Sequence, residues 1–212
     1  QTTPDVITNY KLFQDMAASN CTSCVMEVSS HALHQGRVNG IEYDAAVFTN
    51  LTQDHLDYHP DMDSYADAKA TLFSSLVPAK NSRKPQFSKT AVVNADSSWH
   101  PRMVRDCKAQ VITYGIDAPC DLKAEGIRLS ATGMRMEICY QSKRYPFESP
   151  LIGRFNVYNC LAAIGVGLAR GFQMEEILKV LSKFPKVPGR LERVPNPKHL
   201  PIFVDYAHTD DA

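Results

Sequence analysis

The chain has 212 residues, 44% of them hydrophobic, with 23 basic and 23 acidic side chains and no formal net charge. That is enough apolar material for one good core, and one large domain is the first expectation. Balanced charge argues against a protein that grips nucleic acid or an anionic membrane by bulk electrostatics, and no apolar run reaches the roughly 18 residues of a membrane-spanning helix. No signal peptide is visible, so a soluble, cytoplasmic protein is expected. The six cysteines are scattered and fit reduced thiols. Cys21 and Cys24 in "CTSC" have the spacing of a redox or zinc pair, but the spacing occurs once and runs straight into "VMEV", which reads as a buried strand.

In chain order, apolar periodicity predicts a helix over about 5–18 through Val6, Tyr10, Phe13, Met16 and Ala17, then strands at "CVMEVS" and "DAAVFTNL". A helix opens at Asp63, followed by a strand "TAVVNAD", a short helical stretch after Trp99 and a strand "QVITYG". Residues 121–150 alternate in polarity, broken by "ATGM" and "QSKRYP", which reads as a small antiparallel meander. Helices return at 155–170 and 174–184, and a Pro/Gly-containing connector leads to a last strand, "IFVDYAH". Short strands alternating with helices indicate βαβ units, so the expected class is α/β: a mostly parallel, Rossmann-like sheet flanked by helices. The basic stretch from Lys80 to Lys89 reads as a solvated loop.

A parallel sheet delivers functional groups at the carboxyl ends of its strands. Glu27 stands late in an otherwise apolar run and is followed by Ser29, Ser30 and His31; a carboxylate so placed suits Mg²⁺ beside phosphates, or an ordinary arginine partner. "FTNLTQDH" brings Asn50, Asp54 and His55 to the same edge. A serine nucleophile in "SSH" is disfavoured because neighbouring residues rarely meet as nucleophile and base and the G-x-S-x-G elbow is absent. A zinc pair of His55 and His59 lacks the glutamate of H-E-x-x-H and is followed by Pro60. On the helix from Asp63, Lys69 shares a stripe with Tyr65, Ala68, Leu72, Phe73 and Leu76. A charged ammonium on that apolar side must snorkel out, find a partner, or lose its charge.

The stretches "TTPD", "MEVSSHAL", "GRVNGIEYDAAVFTNLTQDHLDYH", "YADAKATLF", "VVNAD", "GRFNVYNCLAAIGVG", "VPGRLERV" and "VDYAHTDDA" together resemble the Mur ligases, in the family's order and over nearly the whole chain. The resemblance implies an ATP-dependent amide ligase of peptidoglycan synthesis, adding a diamino acid (meso-diaminopimelate or L-lysine) to UDP-N-acetylmuramoyl-L-alanyl-D-glutamate through an acyl phosphate. It implies ATP and Mg²⁺ as cofactors, and a monomer with no nucleic-acid or membrane partner. By the same likeness Lys69 is carbamylated and holds magnesium together with Glu27 and His55. Thr2, Thr3, Ser29 and Arg37 match residues that hold the nucleotide-sugar peptide. Asn156 and Asn159 match the adenine side of ATP, although either can instead cap a helix. Arg190 matches an arginine near the phosphates, and Asp205 an aspartate at the ribose.

The resemblance assigns 1–188 to a central ATPase domain lacking its phosphate loop and 189–212 to a connector with the first strand of a further domain. The chain reads as a piece of something longer, inactive alone. Asp210 departs from the family's usual proline. A folylpolyglutamate-synthetase-like ligase has similar chemistry. A carbamyl-lysine metal-dependent hydrolase and a non-catalytic, ligase-like scaffold are the alternatives from other classes.

Overall fold

The computed structural model describes residues 2–53, 57–77, 88–185, 187–198 and 200–207. Within them the chain divides into two compact units: one from residues 1–46, 53–91 and 99–110, the other from 47–52, 92–98 and 111–212. No helix among the described residues is long and apolar enough to cross a membrane.

The first unit is helical. Helix α1 (Val6–Ala18) starts where the Asp5 carboxylate accepts from the backbone N–H groups of Ile7 and Thr8. The short α2 (Ser30–His34) is capped by the Ser29 hydroxyl, which accepts from the Ala32 N–H at 3.2 Å. Helix α3 (Met62–Ser74) is capped by Asp61 and packs against α2 and against α4 (His100–Val104). Its apolar stripe falls as the spacing predicts, with Tyr65, Ala68, Phe73 and Leu76 buried and Lys69 and Leu72 half-buried. On another side of α3, the Arg102 guanidinium of α4 clamps Asp63 and Asp67. The expectation of a solvated loop fails at Lys89, which is buried and paired with Glu42 at 2.8 Å and Asp44 at 3.2 Å; most of that stretch lies outside the described residues. A buried ammonium persists when carboxylates meet it, and here two do.

A six-stranded sheet runs in sequence order: β1 (Ala45–Phe48), β2 (Thr90–Asn94), β3 (Gln110–Gly115), β4 (Leu122–Ser130), β5 (Gly133–Tyr140) and β6 (Lys143–Ser149). Bonds from Gln110 N–H to Lys89 O and from Ala95 N–H to Tyr114 O advance together along both chains, so β2 and β3 are parallel. β3 and β4 are parallel too, whereas β4–β5 and β5–β6 are antiparallel. The predicted antiparallel meander is thus present and continues the main sheet through β4. Its second turn uses Gln141 and Ser142 at φ 48° and 62°, the left-handed pair that a tight hairpin needs. In β5 the buried side chains alternate, Met134, Met136 and Ile138, and join a core closed by Val157, Leu161 and Ile164 of α5 (Arg154–Ala169). Helix α6 (Met174–Leu181) packs on α5 behind a Gln173–Glu176 capping box.

The two ends of the sequence reading differ from the fold. "CVMEVS" forms no strand: residues 21–29 carry no ladder, and Val25 is 98% exposed. Apolar content makes a strand only where a neighbour supplies the other half of the ladder. The last predicted strand shrinks to β8 (Phe203–Val204), paired with β7 (Glu192–Arg193). All six cysteines are free thiols, with Cys21 and Cys24 exposed.

Candidate functional site

In the helical unit, the segment that leads from Glu27 into α2 is tied down from three sides. Thr3, fully buried, donates through Oγ1 to the Glu27 carbonyl at 2.9 Å and accepts from the Ser29 N–H at 3.1 Å. Arg37 donates through one guanidinium nitrogen to the Thr3 carbonyl at 3.1 Å and through Nε to Gln35 Oε1 at 2.9 Å. Asn9, also buried, donates to the carbonyls of Pro4 and Arg37. Three of the predicted substrate residues, Thr3, Ser29 and Arg37, thus form one hydrogen-bonded knot beneath Glu27. Thr2 lies exposed next to it, and Glu27 itself is exposed. The backbone is fixed while the carboxylate remains open to a ligand.

Lys69 is neither buried alone nor extended into water. Its Nζ lies 5.1 Å from the centroid of the Tyr65 ring, one helical turn earlier. Tyr65 is 5% exposed and stacks on His59, with centroids 5.1 Å apart and an interplanar angle of 14°. His59 Nε2 hydrogen-bonds Ser30 Oγ at 2.9 Å, so the serine meets this histidine. His31 and Tyr58 rings stand 4.0 Å apart, and His34 Nδ1 shares a 2.7 Å hydrogen bond with the Tyr58 hydroxyl. His55 and Asp210 lie outside the described residues.

Among the described residues no three His, Cys, Asp or Glu side chains gather into a metal cage. Glu27 offers one hard carboxylate oxygen, and Lys69 offers oxygen only after carbamylation. Hard oxygens of this kind are ones Mg²⁺ accepts, and Mg²⁺ is usually held by one or two carboxylates together with substrate phosphates.

The sheet-bearing unit carries the predicted nucleotide residues. Gly153, at φ 93°, is the N-cap of α5, so neither asparagine fills that role. Asn156, buried three residues in, donates to the Ile152 carbonyl at 2.8 Å and accepts from Asn159 Nδ2 at 3.0 Å; Asn159 is exposed. A Cβ at Gly153 would stand 3.2 Å from Leu191 Cδ1, which places the Arg190–Leu191 bend beside the start of α5. Leu191 N–H bonds Asp205 at 2.7 Å and Ala207 N–H bonds it at 2.6 Å. These two backbone donors, with Arg190 adding charge, hold the Asp205 carboxyl below its ordinary value. Arg190 lies over the Tyr206 ring at 5.5 Å. Leu191, beside the start of α5, thus carries the N–H that Asp205 accepts from, and Asn156 and Asn159 are bonded to each other within α5.

Sequence reasoning missed Asp96. Its carboxylate accepts from the Ile116 and Ala118 N–H groups at 2.6 Å each and from the Tyr158 hydroxyl at 2.9 Å. Burial pushes this carboxyl up, but the bonds from Ala118, Ile116, Asp117 and Tyr158 outweigh it and the net shift is downward; burial and Asp96 together push Tyr158 up to about 12. The signal was present: Asp96 follows an apolar strand, as Glu27 follows its apolar run.

The model of the Mur ligase middle domain matches residues 1–167. A UDP-N-acetylmuramoyl-L-alanyl-D-glutamate–2,6-diaminopimelate ligase of Geobacillus kaustophilus is 44% identical over all of this chain, and one of Listeria monocytogenes serotype 4b is 45% identical over 99% of it. The chain spans 42% of the length of each. A solved structure of a ligase with the same name superposes with a TM-score of 0.83 at 32% identity, covering 99% of this chain and 42% of that one.

Proposed function

Because the chain belongs to the Mur ligase middle-domain family, we propose that it is the central part of an ATP-dependent ligase that adds a diamino acid to UDP-N-acetylmuramoyl-L-alanyl-D-glutamate in peptidoglycan synthesis. The observation that carries this reading is identity of 44–45% along the chain with ligases named for that substrate. Residues 1–188 form the central ATPase portion and 189–212 lead toward a further domain. The enzyme acts as a monomer in the cytoplasm.

The chemistry is phosphoryl transfer followed by acyl transfer. A substrate carboxylate oxygen attacks the γ-phosphorus of ATP, the bond to the ADP oxygen breaks, and an acyl phosphate results. The amine of the diamino acid then attacks the acyl carbon, giving the amide and releasing phosphate and a proton. Magnesium, when bound, supplies charge neutralisation at the transferring phosphates. Glu27 contributes a carboxylate oxygen to it, and His55 is the second residue assigned there. Lys69 is the third: once its ammonium has given up a proton, the neutral amine attacks CO₂, an N–C bond forms as one C=O π bond opens, a second proton leaves nitrogen, and the resulting carbamate would offer an anionic oxygen. Ser29 and Arg37 hold the peptide substrate together with Thr2; Thr3, buried beneath them, fixes the Ser29 backbone from below. Asn156 and Asn159 serve the adenine side of ATP, Arg190 its phosphates and Asp205 its ribose.

The test is a turnover assay of the full-length protein with ATP, Mg²⁺ and UDP-muramyl dipeptide, offering diaminopimelate and lysine in parallel. Expected is one ADP per amide formed, with no product when any component is omitted. Turnover without nucleotide but with a transition metal would instead establish the hydrolase, turnover of folyl substrates the sister ligase, and no turnover of any kind the scaffold.

A further inference from the structure

We propose that Tyr65 and His59 are positioning residues for Lys69, forming with Ser30 a braced path that fixes the lysine side chain relative to the Glu27–Ser29 segment. The proposal rests on the reading of Lys69 as a metal-site residue and deepens it. Ser30, His59 and Tyr65 are 1%, 4% and 5% exposed, so all three are locked by packing. Ser30 follows the knot formed by Thr3 and Ser29, and its hydroxyl holds His59 Nε2 at 2.9 Å. The rings of Tyr58 and His31 stand 4.9 and 5.6 Å from that imidazole, leaving it little room to turn. His59 in turn lies nearly parallel to Tyr65, and the Tyr65 face sits beneath Lys69.

Each link removes freedom from the next. A lysine stem has many rotamers, and a ligand that must hold an ion in one place needs most of them excluded. Tyr65 is one turn before Lys69 on α3, where side chains of the same stripe meet, so its ring forms a wall along one side of the stem. That wall is useful to a ligand and superfluous to a surface lysine. The ring rather than the phenol does this, because the contact is with the ring face.

The experiment uses the full-length protein as Tyr65→Leu, Tyr65→Phe and His59→Phe, with Lys69→Ala as reference. Three readouts are taken: kcat and KM, the Mg²⁺ concentration for half-maximal rate, and the ¹³C signal of lysine carbamate after equilibration with ¹³C-bicarbonate. Expected for Tyr65→Leu is a loss of about 10- to 100-fold in kcat, a higher Mg²⁺ requirement, a weaker carbamate signal and a KM for ATP changed by less than about twofold. Tyr65→Phe should restore most of the rate, and His59→Phe, which keeps a stacked ring but loses the Ser30 bond, should raise the Mg²⁺ requirement by a smaller factor. Unchanged Mg²⁺ requirement and carbamate signal in folded Tyr65→Leu would overturn the proposal. Should that variant not fold, the same null result in His59→Phe overturns it. Full activity in Lys69→Ala would instead remove the reading of Lys69, whereas an inactive Lys69→Ala beside an unaffected Tyr65→Leu would remove only the positioning role.

Discussion

Lys69 has the side chain whose chemistry most depends on its surroundings. Two of the other residues on its stripe of α3, Tyr65 and Phe73, are within 5% exposure, and its amine lies over the Tyr65 ring. A carbamate ligand makes a specific demand on substitution. In the full-length protein Lys69→Ala should be nearly inactive, and formate or acetate should restore part of the rate by placing an anionic oxygen in the vacated space. Lys69→Arg should not respond, because guanidinium stays charged and fills that space. Stability of the alanine variant should stay within about 1 kcal/mol of the parent. The lost cation–π contact, about 0.5–1 kcal/mol, is partly offset by alanine's better helix propensity. Normal turnover in both variants would mean an ordinary lysine, and partial activity in the arginine variant without a carboxylate response would mean a plain ammonium contact.

At the scale of elements, Asp96 joins the end of β2 to the turn after β3 and to Tyr158 of α5. Asp96→Asn halves the acceptor capacity at that joint and should cost about 1–3 kcal/mol at neutral pH. The folded carboxyl has a lowered pKa, so its stabilisation is fully present above the unfolded value near 3.9 and is lost as pH falls through the folded one. The gap in Tm between parent and variant should therefore narrow below about pH 4; a gap constant from pH 7 to pH 3 would contradict the assignment. Periodicity made α3, α5 and α6 legible, because each buries an apolar stripe or surface of its own making; α1 also forms where the periodicity puts it, although the residue it buries is Asn9 rather than an apolar stripe. Periodicity misread residues 24–29 because a ladder depends on a neighbour that local pattern does not contain. It read β4–β6 as an antiparallel meander, as found, but not their attachment to the main sheet, since the parallel register of Tyr114 with Leu122 is a tertiary fact. The resemblance pointed to Glu27, Lys69, Thr3, Ser29 and Arg37, and the structure joins the last three in one hydrogen-bonded knot. Tyr65 was visible on the stripe of Lys69, whereas the Ser30–His59 bond and the bonds of Asp96 were not, because they join distant parts of the sequence.

For the whole molecule, the two units carry different groups of residues: the helical unit holds Thr3, Glu27, Ser29, Arg37 and Lys69, and the sheet-bearing unit holds Asn156, Asn159, Arg190 and Asp205. By resemblance the first group is matched to the nucleotide-sugar peptide and to magnesium, and the second to ATP. The acyl-phosphate route proposed above makes a definite demand on where each oxygen goes. The path leaves an isotopic trace. When the accepting carboxylate of the UDP-muramyl dipeptide is labelled with ¹⁸O and turned over by the full-length protein with ATP, Mg²⁺ and the diamino acid, one labelled oxygen should leave with the inorganic phosphate while the other stays in the amide. Phosphate free of ¹⁸O at full amide yield would show that the carboxylate never bonded to phosphorus, and would contradict the acyl-phosphate mechanism at its central step.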